Sequence, residues 1–222
     1  QGYYRDRYND EPPYVPYGSD VEIVPGGETL ARFGLEPQKY VLFVGRLVPE
    51  NCAHHLVAAF RQLETDLKCV IVGDAAYAET YKAELRALAE NDPRIIFTGY
   101  VFGQGYQELG SNAYLFVETS GVGGTHPALV EAMAFGNCVI TYDTPENWET
   151  IGDAGFAYEG KVGADSLQKV LKRLVNATDL VQTYRQAAQN RANTTYTWEA
   201  VTDGYERLFF AALQRPLPER LL

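Results

Sequence analysis

The stretch SGVGGTHPALVEAMAFG, residues 120–136, concentrates residue types that can do chemistry. Gly121, Gly123 and Gly124 admit positive φ and let the backbone come close to a ligand. Thr125 or His126 stands where a helix would be capped, with Pro127 in the first turn, where a missing N–H costs nothing. Free N–H groups and the helix dipole at such a start attract anions, and a diphosphate suits that chemistry. Glu131 lies four residues past Pro127 and so shares its helix face. Its neighbours are Ala128, Leu129, Val130, Ala132 and Met133. A carboxylate there, one turn into a helix, can accept hydrogen bonds from the two hydroxyls of a ribose. The same loop equally suits tight strand–helix packing alone, with Glu131 reaching solvent.

Two other segments add to this. In VGRLVPEN, Arg46 follows a strand end and Gly45. Its guanidinium can clamp phosphate oxygens bidentately or pair with a surface acid. In FTGYVF, Tyr100 follows another strand end and can hold a base by stacking and backbone contacts, or sit in a plain turn.

Other candidates carry less. FGQGYQELG has Gly103, Gly105 and Gly110, but the third glycine is wrongly spaced for a dinucleotide fingerprint, which would also follow the first strand. His54 and His55 are helix neighbours, expected to point different ways, one buried and one exposed. Cys52, Cys69 and Cys138 are 17 and 69 residues apart, spacings of no metal module, and read as reduced cysteines packed as small hydrophobes. No metal centre is expected. Glu146 and Glu149 read as a solvated helix face and Asp153 as a turn residue. No nucleophile elbow or P-loop is present.

The elements that must position these residues alternate. Apolar strands are read at 39–45, 68–74, 94–101, 113–119 and 137–143, with a shorter one at 156–160. Helices are read at 54–64, 76–91, 125–136 and 145–152, with a short helix or turn at 105–112. Three closing helices follow at 163–176, 178–193 and 197–213, the last two capped by Thr178 and Thr197. Strands apolar throughout, separated by helices, imply a mostly parallel sheet covered on both faces. The fold expected is α/β, a doubly wound Rossmann-like sheet, with ligands beyond the carboxyl ends of the strands.

Composition narrows the partners. The 222 residues carry a formal charge of −10, with 46% hydrophobic residues. That charge opposes non-specific nucleic-acid binding, whose phosphates would be repelled, but a local helix terminus can still hold a small anion. No apolar run reaches a membrane span. The N-terminal residues have no signal-peptide pattern, and the cysteine usage fits a reducing, cytoplasmic setting.

In order, VGRLVPEN, IVGD, RIIFTGYV, AYLFVETS, HPALVEAMAFGNCVITYD and PENWETIGDAGF resemble the C-terminal, nucleotide-sugar-binding half of retaining GT-B glycosyltransferases of family four. GGTHPALVEAMAFG and GRLVPEN look closest to its rhamnosyltransferase-like branch. The resemblance implies roles by position. Glu131 matches the second glutamate of the family's acidic pair, which holds the ribose, and Gly123 stands where the first would be. Arg46 matches the phosphate-binding arginine, and Asn51 stands where a phosphate-binding lysine lies. Tyr100 and Val101 match the region that meets the base. Gly124, Thr125 and His126 would serve the diphosphate through backbone N–H groups, without a metal or other cofactor.

The activity so implied is transfer of a hexosyl or deoxyhexosyl group, with retention, from a nucleotide sugar to a glycan or lipid-linked acceptor, as in polysaccharide biosynthesis. A dTDP-linked deoxysugar is the lean. A non-catalytic binding or assembly module of the same fold is the alternative, favoured by Gly123 and Asn51. The organisation expected is an interdomain lead-in at 1–38, a nucleotide-sugar-binding domain at 39–196 and a closing helix and tail at 197–222. That helix would cross back to an N-terminal acceptor domain missing from this sequence. The catalytic residues would lie there, this half alone would be inactive, and any peripheral membrane association would run through that domain. The face it leaves would be apolar, with residues 1–17 and Leu208, Phe209 and Phe210 as its candidates.

Overall fold

The computed structural model describes residues 2–9, 13–90 and 92–221. Gln1 and residues 10–12 of the expected lead-in, Asn91 at the end of an expected helix and Leu222 of the tail lie outside them. The chain opens with α1 (Gly2–Tyr8) and α2 (Glu28–Arg32). The alternating region follows: β1 (Tyr40–Val44), α3 (Ala53–Arg61), β2 (Lys68–Val72), α4 (Glu79–Ala89), β3 (Ile95–Gly99) and α5 (Gln104–Asn112). It continues through β4 (Leu115–Glu118), α6 (Pro127–Ala134), β5 (Cys138–Tyr142), α7 (Pro145–Ile151) and β6 (Gly155–Tyr158). Helices α8 (Ala164–Leu174), α9 (Thr178–Thr195) and α10 (Trp198–Ala212) close it.

The six strands form one sheet in the order β3-β2-β1-β4-β5-β6, every pairing parallel. This is the doubly wound Rossmann-like arrangement. The strands are apolar on both faces because both are covered. Val41 and Phe43 of β1 join Cys69, Ile71, Leu115, Val117, Cys138 and Ile140 in one core, packed by Leu56 and Phe60 of α3, Leu85 of α4 and Leu167 and Leu171 of α8. Tyr40 and Leu42 join Val70, Val72, Phe116 and Val139 in the other, packed by Leu109 of α5, Leu129 and Met133 of α6 and Ala188 of α9. The period of two along each strand sorts the cores. Each fully buried leucine or phenylalanine contributes roughly 1.5–3 kcal/mol.

The lead-in is tied to the sheet domain by hydrogen bonds. Glu108 of α5, only 4% exposed, accepts from the N–H groups of Gly27, Thr29 and Leu30 at 3.1, 2.9 and 3.3 Å and so caps α2 from across the fold. The Val24 N–H donates to Ser111 Oγ, and Asn112 Nδ2 donates to the Val24 carbonyl. Residues 22–30 are thus tied to α5. Earlier, the Ser19 N–H donates to the Tyr196 carbonyl, which sets the lead-in beside the start of α10.

Two caps divide. Thr197 caps α10, its hydroxyl accepting from the Ala200 N–H at 3.1 Å. Thr178 does not cap α9: the cap residue is Ala177 and Thr178 is already helical. Tyr14, Tyr17, Trp198, Tyr205 and Phe209 are exposed, whereas Leu208 and Phe210 are half-buried. No helix among the described residues is long and apolar enough to cross a membrane.

Candidate functional site

At the centre of the sheet, β1 and β4 lie side by side although their chain connections run outward in opposite directions. That switch in direction leaves a crevice beyond their carboxyl ends. A cleft of about 420 Å³ opens there. Gly45, Arg46, Glu50 and Asn51 line it from the loop after β1. Glu118, Ser120, Gly123, Gly124, His126 and Pro127 line it from the end of β4 and the start of α6. Residues more than 70 positions apart in sequence, Arg46 and Asn51 on one side and Gly123, Gly124 and His126 on the other, are therefore brought together as expected from their types.

The first wall is an ordered turn. Leu47 and Val48 anchor it in the core, and Pro49–Asn51 form one turn of 3-10 helix. Arg46 lines the cleft and is exposed, and its Nη1 donates to the hydroxyl of Tyr77, outside the lining, at 3.3 Å. Asn51 differs from expectation. Its amide Nδ2 donates to the Arg46 carbonyl at 2.9 Å, and its Oδ1 accepts from Ser120 Oγ at 3.3 Å. Its own carbonyl accepts from Thr119 Oγ1. The side chain clamps the two walls to each other, so its polar atoms are already engaged.

In the second wall, only Gly123 of the three loop glycines has a positive φ, +111°. A side chain there would be strained, and its Cβ would meet the His126 ring at 3.2 Å. Thus an acid is not merely missing at this position; the loop is shaped for a residue without one. His126 begins α6, and neither it nor Thr125 supplies a side-chain cap. The Thr125 hydroxyl instead shares a 2.5 Å hydrogen bond with the Tyr14 hydroxyl, away from the cleft lining. Burial lowers the His126 pKa, with Glu146 opposing, so the ring is neutral at neutral pH.

Glu118 was not singled out by its sequence context, where it closes an apolar run. It lines the cleft at the tip of β4, is 5% exposed, and accepts from the Ser120 N–H at 2.9 Å. Burial pushes its pKa up to about 7, with the Ser120 N–H pulling the other way. The cleft floor therefore holds a carboxyl group whose charged form burial disfavours.

Glu131 lies further along α6, outside the residues that line the cleft, and does not point into bulk water. It is half-buried, and its Oε2 accepts from the Tyr106 hydroxyl of α5 at 2.5 Å. Tyr100 and Val101 follow β3, two strands from β1 and so about 10 Å from the cleft centre. They are not part of its lining. Tyr100 is exposed and stacks on Phe102, with ring centroids 5.7 Å apart, while Val101 packs against the core.

The other candidates behave differently from one another. Glu146, Glu149 and Asp153 are exposed. Cys69 and Cys138 are fully buried, as small hydrophobes would be. His54 and His55, however, do not diverge: both are half-buried and their rings meet edge to face, 4.5 Å between centroids. Cys52, the residue before α3, is in a left-handed conformation.

The family model described as glycosyl transferases group 1 matches residues 29–191. No curated protein matches the chain. Among solved structures, the sucrose-phosphate synthase of Thermosynechococcus elongatus superposes with a TM-score of 0.77 at 22% identity, over 95% of this chain and 56% of that one. The Anabaena protein HepE in complex with UDP-glucose gives 0.77 at 20% identity, over 87% of this chain and 56% of that one. The C-terminal domain of a glycosyl transferase group 1 family protein, LpcC, from Francisella tularensis gives 0.69 at 20% identity, over 82% of this chain and 100% of that domain. The chain thus spans little more than half the length of the first two, and all of the third.

Proposed function

This chain belongs to the glycosyl transferases group 1 family, and from that premise we propose that its cleft binds a nucleoside-diphosphate sugar as glycosyl donor. The observation that carries the reading is the pairing of Arg46 with the glycine-led start of α6 across one cleft at the switch point of the sheet. A guanidinium and a helix N-terminus facing each other make a diphosphate site. They remain in place as the sugar leaves and negative charge grows on the diphosphate, which is what transition-state stabilisation requires. His126, neutral in the free protein, gains a proton more readily once a diphosphate lies beside it. Burial disfavours the charged form of Glu118, which lessens its opposition to the guanidinium.

Glu131, steadied by Tyr106, is the acceptor for the ribose hydroxyls. HepE, with which the chain shares its fold, is a protein crystallised with UDP-glucose, and this supports a nucleotide sugar as the ligand class. The finer reading is transfer of a hexosyl or deoxyhexosyl group with retention to a glycan or lipid-linked acceptor, in the manner of family four and its rhamnosyltransferase-like branch. The acceptor and the catalytic side chain would be supplied by a second, N-terminal domain, in a cytoplasmic setting. No metal or organic cofactor is needed for the donor contacts.

Thermal unfolding with UDP, ADP, GDP and dTDP at millimolar concentration tests the donor reading. Ligand at 100 times its dissociation constant adds about 2.7 kcal/mol, or a midpoint rise of roughly 5–10 °C for a chain of this size. Midpoints unmoved by all four diphosphates would overturn it. A second reading, a non-catalytic module of the same fold, draws on one observation: the Asn51 side chain is committed to Arg46 and Ser120, leaving one basic side chain at the diphosphate. On that reading nucleotides bind but no nucleotide sugar is turned over even when an acceptor domain is supplied.

A further inference from the structure

A second group of chemistry-bearing side chains lies beside the first wall of the cleft, outside its lining. Sγ of Cys52 and a ring nitrogen of each of His54 and His55 all lie within 4.8 Å of one another. We propose that Cys52, His54 and His55 form a binding site for one zinc ion, with water in the fourth position.

The geometry is close to what the metal demands. Zinc bound tetrahedrally by sulfur and nitrogen holds its ligand atoms about 3.5 Å apart. The three donors therefore need to close by roughly 1 Å, which small side-chain rotations supply. The two imidazoles already face each other edge on. Each ring is also held by a phenol: the Tyr81 hydroxyl lies 2.8 Å from His54 Nδ1, and the Tyr158 hydroxyl 3.1 Å from His55 Nδ1. Hydrogen-bonding partners that fix the ring orientation are the usual companions of metal-bound histidines. Cys52 is free and half-buried, within reach of a cation yet shielded from bulk oxidants.

The donor set selects the ion. One thiolate and two imidazoles suit a borderline-soft cation and disfavour magnesium or calcium, which take oxygen ligands. On binding, the Cys52 thiol releases its proton to solvent, and the site carries one net positive charge. Its place in the fold gives it a structural consequence. Cys52 follows Asn51, which clamps Arg46 to Ser120 across the cleft. An ion held by Cys52 and α3 pins the far end of that turn. The site does not depend on what the cleft binds, so either inference can fail without the other.

Cobalt(II) titration of the metal-stripped chain tests it. The expected result is a near-ultraviolet thiolate-to-cobalt band with tetrahedral visible bands, saturating at one cobalt per chain and bleached by zinc. Cys69 and Cys138 are fully buried and cannot supply that band. Cys52→Ser should abolish it, and His54→Gln and His55→Gln should each weaken cobalt binding at least tenfold, with far-UV circular dichroism unchanged. Absence of the thiolate band from the wild-type chain at micromolar cobalt would overturn the proposal whatever the variants do. So would its persistence in Cys52→Ser.

Discussion

The Tyr106 hydroxyl of α5 donates to Oε2 of Glu131 on α6 at 2.5 Å. Burial, and then the Glu131 charge, hold the phenol well above its ordinary pKa, so it remains a donor at every pH the protein meets. The bond fixes the carboxylate rotamer and leaves Oε1 as a second acceptor, an arrangement suited to two adjacent ribose hydroxyls.

Removing the acid and removing its support should therefore differ in size. Glu131→Ala deletes charged hydrogen bonds worth about 1.5–3 kcal/mol, a loss of roughly 10- to 150-fold in nucleoside-diphosphate affinity. Tyr106→Phe deletes only a positioning contact worth about 1 kcal/mol, roughly fivefold. Isothermal titration with the tightest-binding diphosphate ranks the two. Binding by Glu131→Ala at wild-type strength would remove Glu131 from the site.

Arg46 should read the diphosphate alone. Its side chain is exposed and, among the described residues, hydrogen-bonds to Tyr77, so Arg46→Ala should leave stability within about 0.5 kcal/mol. Diphosphate affinity should fall roughly tenfold or more, while the parent nucleoside binds unchanged. Arg46→Lys should recover part of the charge but not the bidentate geometry. An equal loss for nucleoside and diphosphate would place the guanidinium elsewhere in the ligand.

Much of this architecture is legible in the residues themselves. The strands are apolar on both faces because helices cover both, and that pattern alone predicts the parallel sheet. The two halves of the cleft are legible because glycine, proline and arginine at strand ends have local meanings. What escapes is whatever depends on contact across the fold. Glu118 and Glu108 are charged residues in ordinary-looking segments, and only tertiary packing reveals one as a buried cleft carboxyl and the other as a helix cap. Asn51 looks available for a ligand until Ser120, 69 residues away, is found on its oxygen. The convergence of His54 and His55 goes with phenols brought to their Nδ1 atoms by Tyr81 and by Tyr158, 103 residues from His55.

Glu108 is the clearest stability test outside the cleft. It satisfies three backbone N–H groups at the start of α2, one of them fully within the core edge. Glu108→Ala leaves those donors without their acceptor and should cost about 1–3 kcal/mol, seen as a lower urea midpoint at unchanged slope. Glu108→Gln, which keeps one oxygen, should lose less. A midpoint within error of wild type for Glu108→Ala would mean that the lead-in contributes nothing to the stability of the domain.

Glu118 links the cleft to pH. The groups near it are Tyr158, whose phenol feels its charge, and Arg46, Glu50 and His126 around the same cleft. Its folded pKa, raised to about 7 by burial, exceeds the unfolded value of 4.5. Between those two values the native protein keeps a proton that the unfolded chain has released. Stability from this group is therefore full below about pH 4.5, falls as pH rises, and reaches its floor above about pH 7. Glu118→Gln, which keeps the shape and an oxygen for the Ser120 N–H, removes that slope. Relative to wild type the variant should match near pH 4.5 and be more stable at pH 8, by up to about 3 kcal/mol. Urea unfolding of both proteins across that range checks it. Parallel curves for the two proteins would show that Glu118 ionises as an ordinary carboxylate and that the cleft floor is negative, a poor surface for a diphosphate.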